Sequence, residues 1–249
     1  MSMSRLIEYL AGFFDGEGSI SLHEIRSKVR IRVSQVGEEP LNLYAKVFGG
    51  TVRFQQITSG FLPYYNYDTN DSIRCGKILM SLYPYLLVKQ EKAQIALKRL
   101  GLSVPTSSDT VSTEYLAGFF DAEGSVSTAV KEGNKIAMNI RVRQNNPYPL
   151  LMFKEMYGGY VYENKTPLGK ESYEWKLRQS DVTYFCNEMI PHSIIKHEQL
   201  KLAKKLVSIL LHHGGRDPRI EEKLTLAIEI KLLNSRADLR AETMDMFAE

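Results

Sequence analysis

The chain has 249 residues, 43% hydrophobic and 24% charged, with a formal net charge of +3, a composition typical of a folded globular protein. It contains no apolar run long enough to cross a membrane, and its N-terminal stretch MSMSRLIEYL lacks the features of a secretory signal. Because the chain has only two cysteines, we expect a reduced intracellular protein without a disulfide framework. The lack of a long apolar run leads us to expect no membrane partner.

The first predicted element is a helix whose sequence occurs twice. EYLAGFFDGEGSI covers residues 8–20, and EYLAGFFDAEGSV covers residues 114–126. Each copy has an Ala-Gly pair in mid-helix, where glycine costs about 1 kcal/mol relative to alanine. Small residues allow two helix backbones to approach closely. We therefore expect the two helices to pack against each other and to end with Glu17 beside Glu123.

A strand with a cationic outer face follows each of these helices. In KVRIRVS (28–34), Val29, Ile31 and Val33 alternate with basic and polar residues. KIAMNIRVR (135–143) repeats this alternation. A period of two predicts a half-buried strand, with its apolar residues in the core and its basic residues on the open face.

The duplication extends over both halves of the chain. IRVSQVGEEPLNLYAKVFGGTV aligns without gaps with IRVRQNNPYPLLMFKEMYGGYV, and each half reads as helix, two strands, helix, two strands, helix. The offset between the copies rises from 106 to 109 residues, which predicts a longer first hairpin in the second half. The predicted α+β organisation is an N-terminal half (1–100), a linker (101–112), a C-terminal half (113–213) and a C-terminal helical tail (214–249).

The acids that end the two repeated helices require a cation. A helix C-terminus carries partial negative charge, so two carboxylates placed there repel each other. Mg²⁺ relieves this repulsion, because it accepts one or two carboxylates together with phosphate oxygens and water. Two acids beside a cationic sheet therefore indicate metal-assisted hydrolysis of a phosphodiester. A capping or surface role is the alternative, and the presence of two copies favours the metal site.

These residues carry a family resemblance. YLAGFFDGEGS and YLAGFFDAEGS resemble the LAGLIDADG motif of homing endonucleases, and residues 6–210 resemble the single-chain form of that family with two motifs. The resemblance implies a pseudo-symmetric pair of αββαββα halves. Two four-stranded antiparallel sheets would form DNA-binding saddles around a central two-helix interface.

The resemblance also assigns the catalytic residues. Some relatives have a basic residue four positions after the glutamine that ends the second strand, where this chain has Glu39 and Tyr148, so the water network is expected to differ. Mg²⁺ is the expected cofactor, Mn²⁺ is expected to substitute for it, and Ca²⁺ is expected to support binding without cleavage. The implied metal ligands are Glu17, Glu123 and the carbonyl groups of Gly16 and Ala122, and the implied catalytic partners are Gln35, Gln144, Lys89 and Lys196.

The outer strand faces are expected to read base edges in the major groove of a duplex of roughly 20 base pairs. The alternative for each residue is that it lies on a solvated sheet face without touching DNA, and this alternative is weakest for the basic cluster at 28–32. Because the candidate residues of the two halves differ, the target should be only weakly palindromic. The candidates in the first half are Ser21, His23, Lys28, Arg30, Arg32, Arg53, Gln55, Asn66, Asp68 and Asn70, and those in the second half are Ser127, Lys131, Lys135, Asn139, Arg141, Arg143, Tyr162, Asn164, Lys176 and Arg178.

The leading interpretation is a monomeric, Mg²⁺-dependent, site-specific DNA endonuclease of a mobile intron. It would cut both strands of its target and leave staggered 3′ overhangs. One alternative is an RNA maturase that binds its host intron, and another is a DNA-binding regulator that has lost catalysis. Retention of both acids, both glutamines and both lysines argues against the regulator. The expected location is the cytoplasm of a prokaryote or an organelle of a eukaryote.

Overall fold

The computed structural model describes residues 2–23, 28–56, 63–131, 135–165, 171–210 and 219–245. The chain divides into two compact units, residues 1–122 and 123–249. The predicted linker, 101–112, has no helix or strand, and the predicted boundary after residue 213 lies outside the described residues. In the described ranges, no helix combines the length and the apolar character that crossing a membrane would need.

The first unit is built around one antiparallel sheet with the strand order β1-β2-β4-β3. A 3₁₀ turn at Tyr83–Tyr85 separates its third and fourth helices, and its last helix ends at the first residue of the second unit. The elements are α1 (Met3–Glu17), β1 (Gly18–His23), β2 (Lys28–Gln35), α2 (Glu39–Phe48), β3 (Val52–Gln55), β4 (Tyr64–Thr69), α3 (Ser72–Leu82), α4 (Gln90–Arg99) and α5 (Thr113–Glu123).

The second unit repeats this plan, with the strand order β5-β6-β8-β7. The predicted pair of four-stranded antiparallel sheets is therefore confirmed. A 3₁₀ turn at Gln179–Asp181 precedes its second helix. The elements are β5 (Gly124–Lys131), β6 (Lys135–Gln144), α6 (Tyr148–Tyr157), β7 (Tyr160–Lys165), β8 (Glu171–Lys176), α7 (Val182–Met189), α8 (His197–Leu210) and α9 (Ile220–Asp245).

The helical segment that ends each half consists of two helices, α3 with α4 and α7 with α8. Pro84 and Pro191 lie just after the first helix of each pair. Proline lacks a backbone N–H and its ring clashes with the preceding turn, so a helix does not continue through it. The two breaks matter for the site, because Lys89 and Lys196 lie immediately before the second helix of each pair.

The inner face of the first sheet forms the core of its unit, as the alternation in β2 predicts. Val29, Ile31 and Val33 are at most 1% exposed. Ile31 pairs with Ile20 of β1 in the antiparallel register, and Val33 pairs with Tyr67 of β4. The basic residues between them are left on the opposite face by the period of two.

The first hairpin of the second unit is longer than that of the first, as the change of offset predicts. Strands β5 and β6 have 8 and 10 residues, against 6 and 8 in β1 and β2. Helix α9 packs on this hairpin, where the Thr128 hydroxyl donates to the Ala227 carbonyl over 2.8 Å and the Asn234 amide donates to the Val126 carbonyl over 2.9 Å. Helix α9, the described part of the predicted C-terminal tail, therefore packs on the sheet of the second unit.

Helices α1 and α5 lie against each other through their glycines. A Cβ atom on Gly12 would lie 1.9 Å from the Tyr115 carbonyl oxygen, and one on Gly118 would lie 2.0 Å from the Tyr9 carbonyl oxygen. These distances are far below van der Waals contact, so only glycine fits at either position. The predicted close packing of the two repeated helices is confirmed.

Candidate active site and nucleic-acid interface

The first candidate active site lies where α1 ends and β2 ends. Glu17 is the last residue of α1, and Gln35 is the last residue of β2. The Gln35 Nε2 atom donates to Glu17 Oε1 over 3.4 Å, while Gln35 Oε1 accepts the Val36 backbone N–H over 2.8 Å. The backbone bond fixes the orientation of the amide, so that its donor side faces the carboxylate.

The second unit contains the same arrangement. Gln144 Nε2 donates to Glu123 Oε1 over 3.1 Å, and Gln144 Oε1 accepts the Asn145 backbone N–H over 2.7 Å. Both carboxylates are half-buried, so they remain accessible to a ligand. The structure thus joins each predicted acid to the predicted glutamine of its own half.

The two predicted lysines occupy equivalent places at helix starts. The Lys89 carbonyl accepts the N–H of Ala93 in α4, and the Lys196 carbonyl accepts the N–H of Leu200 in α8, each over 2.9 Å. The Lys89 ammonium donates to the backbone carbonyl of Asp15 and, over 3.3 Å, to that of Gly16. A positive charge therefore lies beside the chain segment that carries Glu17.

A buried aspartate, Asp15, organises the segment before α4. The sequence leaves open whether Asp15 supports the neighbouring Glu17 or only the end of its own helix. Asp15 is fully buried, and its carboxylate accepts the backbone N–H groups of Leu87, Val88 and Lys89 over 2.6, 3.0 and 2.8 Å. Burial raises the pKa of Asp15, and the backbone N–H donors oppose this shift because they stabilise the charged form. The signal in the sequence was the matched Asp15 and Asp121 of the two motif copies.

Each of these aspartates also accepts a tyrosine hydroxyl from the other motif helix. Tyr115 of α5 donates to Asp15 Oδ2 over 2.7 Å, and Tyr9 of α1 donates to Asp121 Oδ2 over 2.9 Å. Burial and the nearby Asp121 charge raise the pKa of Tyr9 well above its usual value. Tyr9 therefore remains a protonated donor at neutral pH.

The donor set fits a hard divalent cation. Glu17 and the Gly16 carbonyl present oxygen atoms in the first unit, and Glu123 presents a carboxylate in the second. Among the described residues there is no group of three or more His, Cys, Asp or Glu side chains that could hold a metal ion. One or two carboxylates, completed by phosphate oxygens and water, are the arrangement typical of Mg²⁺.

The outer face of the first sheet carries a cluster of two arginines around one acid. Arg30 Nε donates to Asp68 Oδ1 over 2.8 Å, its second nitrogen donates to Asp68 Oδ2, and Arg32 donates to Oδ2 over 3.2 Å. The Arg30 guanidinium is the main cause that lowers the pKa of Asp68. Arg32 Nε is buried and makes no hydrogen bond with the described residues. Asp68 thus holds both guanidinium groups on the face proposed to meet DNA.

The second sheet carries a similar cluster around Glu174, an outer-face residue that is not among the predicted DNA contacts. Arg143 Nε donates to Glu174 Oε2, and the Arg141 guanidinium lies 3.8 Å from the same oxygen. Arg178 lies two residues beyond β8, where it pairs with Asp181 over 2.7 Å. In the register, Glu174 faces Arg143 while Asp68 faces Arg32, so the two clusters are not equivalent.

The remaining predicted DNA contacts differ in exposure. Asn66 is only 7% exposed, and its Oδ1 atom accepts the Ser34 hydroxyl over 2.5 Å. Its side chain therefore has little surface available for a contact with DNA. The side chains of Lys131 and Lys135, at the ends of β5 and β6, lie outside the described residues. Exposed candidates are Ser21, His23, Lys28, Arg53, Gln55, Asn70, Arg143, Tyr162, Asn164, Lys176 and Arg178, and half-buried ones are Arg30, Arg32, Asp68, Ser127, Asn139 and Arg141.

Asp68→Asn is expected to weaken sequence discrimination. The substitution removes the charge that orients Arg30 and Arg32, and one well-placed bidentate arginine is worth about tenfold or more against a wrong base. We expect the ratio of target to non-target affinity to fall by about tenfold, as measured by competition binding at fixed salt. Asp109→Asn, an exposed site between α4 and α5, makes the same charge change and should leave the ratio intact. Equal ratios for the two variants would contradict this role of Asp68.

Two antiparallel sheets of the same strand order, each following a repeated LAGFFD helix, define the fold class. The chain has the fold of the LAGLIDADG homing endonucleases, in the single-chain form with two motifs. Its predicted fold class is confirmed.

Particular solved structures share this fold. The I-GzeII homing endonuclease in complex with its DNA target has a TM-score of 0.65 and 16% identity, over 89% of this chain and 96% of that chain. I-SmaMI bound to uncleavable DNA has a TM-score of 0.64 and 15% identity, over 90% and 96% of the two chains. I-SmaMI has also been solved on an uncleaved target with calcium ions, at a TM-score of 0.58 and 15% identity over 89% and 97% of the two chains.

Two curated yeast proteins are similar in sequence. The intron-encoded RNA maturase bI4 of Saccharomyces cerevisiae is 24% identical over 217 residues, which cover 81% of this chain. A probable intron-encoded endonuclease aI2 of Debaryomyces hansenii is 22% identical over 226 residues, which cover 78% of this chain. This chain spans about a third of either relative, 32% in each case. No family model matches the chain.

Proposed function

We propose that the chain is a site-specific endonuclease that hydrolyses both strands of a long, weakly palindromic DNA target and leaves staggered 3′ overhangs. The observation that carries the proposal is the duplication of one residue set. The acid at the end of each motif helix accepts a hydrogen bond from a strand-end glutamine, over 3.4 Å in one half and 3.1 Å in the other. A lysine precedes the corresponding helix in both halves. Two hydrolytic sets suit a substrate with two phosphodiesters to cut.

The first set comprises Glu17, Gln35 and Lys89, and the second comprises Glu123, Gln144 and Lys196. Glu17 with the Gly16 carbonyl, and Glu123 with the Ala122 carbonyl, would hold the metal. A divalent cation bound by these oxygens supplies an activated water and offsets the charge of the phosphate. Mg²⁺ is the proposed ion, with Mn²⁺ as a substitute and Ca²⁺ supporting binding without cleavage.

The other members of each set act on water and on charge. The backbone bond to Gln35 Oε1 leaves its Nε2 group turned towards Glu17, where it can orient a water molecule for attack on phosphorus. The Lys89 ammonium, 3.3 Å from the Gly16 carbonyl, lies where it can stabilise negative charge that grows on the phosphate in the transition state. Gln144 and Lys196 would do the same for the other strand.

The proposed partner is a duplex of roughly 20 base pairs, read by the outer faces of the two sheets. Arginine favours guanine and asparagine or glutamine favours adenine, and the two faces carry different residues. Because one chain contains both hydrolytic sets, the proposed active form is a monomer. We propose an intracellular location, in the cytoplasm of a prokaryote or in an organelle, which the intron-encoded yeast relatives support.

Cleavage of a randomised duplex library in Mg²⁺, followed by sequencing of the cut ends, tests this function. The double variant Glu17→Gln, Glu123→Gln is the control, since it keeps the shape of both side chains and removes their charge. One enriched site, cut by the wild type and not by the variant, is the expected result. Enriched binding without cut ends would instead support the DNA-binding regulator.

An intron RNA maturase is the second candidate, and the similarity to a yeast RNA maturase favours it. That function needs RNA binding and not the metal acids. It therefore predicts that splicing assistance survives Glu17→Ala and Glu123→Ala. If the wild type neither binds nor cuts the DNA library, intron RNA becomes the substrate to test.

A further inference from the structure

We propose that the hydroxyl of Tyr115, acting through the carboxylate of Asp15, positions Lys89 for the cut made by the first set. The second motif helix would thereby control the geometry of the first hydrolytic set. The proposal rests on the proposed endonuclease function and names two positioning residues, Tyr115 and Asp15, that the motif comparison does not include in the site.

The carboxylate of Asp15 is held by four donors. Its Oδ2 atom accepts the Tyr115 hydroxyl over 2.7 Å and the N–H groups of Leu87 and Val88 over 2.6 and 3.0 Å. Its Oδ1 atom accepts the Lys89 N–H over 2.8 Å. A carboxylate has about four lone-pair sites, so Asp15 is close to saturated with partners. It fixes the backbone of three consecutive residues before α4.

This anchoring sets the direction of the Lys89 side chain. With its backbone N–H held by Asp15, Lys89 turns its ammonium to the backbone carbonyls of Asp15 and Gly16. These carbonyls belong to the two residues that precede Glu17. The backbone N–H and the ammonium of Lys89 thus both bind the last turn of α1, which holds the ammonium next to the residues that precede Glu17.

Tyr115 is the one donor of the four that comes from another helix. Helices α1 and α5 approach closely through their glycines, which brings the α5 tyrosine within reach of Asp15. Removing a hydroxyl from a buried carboxylate leaves part of that charge unsatisfied, a costly state that favours reorientation of the group. Any such reorientation would loosen the Leu87–Lys89 backbone, since the same two oxygens hold it.

Tyr115→Phe tests the proposal, because it deletes one oxygen and keeps the ring. The substrate is the selected duplex with a different label on each strand, and the strand cut by the first set is the one that Glu17→Gln leaves whole. We expect Tyr115→Phe to slow the cut of this strand by about 10–100-fold, the range typical of partners that orient a metal site. The other strand should be cut at the wild-type rate, with unchanged DNA affinity.

Two matched variants exclude a general loss of stability. Tyr9→Phe removes the corresponding bond to Asp121 and should leave the strand of the first set at its wild-type rate. Tyr67→Phe removes a buried hydroxyl that donates to the Gly49 carbonyl in the same unit and should slow neither strand. Equal slowing of both strands by Tyr115→Phe, or slowing that Tyr67→Phe reproduces, would overturn the proposal.

A measurement without DNA separates this proposal from the proposed function. Amide hydrogen exchange at Leu87, Val88 and Lys89 is expected to accelerate in Tyr115→Phe and to stay at the wild-type rate in Tyr67→Phe. Unchanged exchange in Tyr115→Phe overturns the positioning role, even if the wild type cuts DNA. Accelerated exchange in a protein that cuts no DNA supports the structural link and rejects the endonuclease.

Discussion

Glu17→Gln is expected to abolish double-strand cleavage and to slow the cut of one strand by about a thousandfold. The substitution keeps the volume of the side chain and its place beside Gln35, and it removes the negative charge that would hold the metal. Metal-assisted hydrolysis draws several kcal/mol of transition-state stabilisation from such an ion, and about 4 kcal/mol corresponds to this factor. Single-turnover cleavage of a duplex with two labelled strands measures the effect.

The two acids should affect opposite strands. Glu123→Gln is expected to cut, at the wild-type rate, the strand that Glu17→Gln leaves uncut. The reason is that each acid belongs to a separate set with its own glutamine and lysine. Either single variant should then act as a nickase, and the double variant should cut neither strand. DNA affinity should survive in Ca²⁺. Glu155→Gln, an exposed position in α6, is the control for the charge change. Wild-type rates on both strands for Glu17→Gln would reject the metal role.

Gly118→Ala is expected to destabilise the first unit although it adds only one carbon atom. Its Cβ would lie 2.0 Å from the Tyr9 carbonyl oxygen and 2.9 Å from the Phe13 nitrogen, which are backbone atoms that no rotamer change can move. Overpacking of this kind costs about 3 kcal/mol, and the helix preference of alanine returns about 1 kcal/mol. We expect a net loss of about 2 kcal/mol in the free energy of unfolding, measured by urea titration.

A second glycine provides the control for this prediction. A Cβ on Gly37 would meet Glu39 Oε2 at 2.8 Å, and this atom is the end of a flexible side chain that can move away. Gly37→Ala should therefore change the free energy of unfolding by less than about 0.5 kcal/mol. A loss from Gly118→Ala no larger than that from Gly37→Ala would show that α1 and α5 do not touch as closely as the structure places them.

Local patterns in the sequence sufficed for the repeated parts of the fold. The alternation in β2 predicted a core face at Val29, Ile31 and Val33, and all three are buried. The gapless alignment of the halves predicted two equivalent sheets. The repeated Ala-Gly pairs predicted close helix packing, which Gly12 confirms. Each of these patterns consists of residues close together in the chain, so it can be recognised without knowing how distant segments pack.

The helical segment that ends each half is divided in two, for a reason that can be read in the chain. Prolines at 84 and 191 stop α3 and α7, and the chain then restarts as α4 and α8. Because of this break, Lys89 and Lys196 lie at the starts of helices, where their backbone carbonyls accept the first helical hydrogen bonds.

The sequence alone determined that this protein is a duplicated α+β chain. It also offered one candidate site acid, one candidate glutamine and one candidate lysine in each copy. Only the tertiary structure decided that Asp15 reaches residues 72 to 74 positions away and that Tyr115 reaches Asp15 across 100 positions. It also paired Asp68 with Arg30, 38 positions apart. Such contacts leave no local period, because they depend on how helices and strands pack in space and on which buried groups must find a partner.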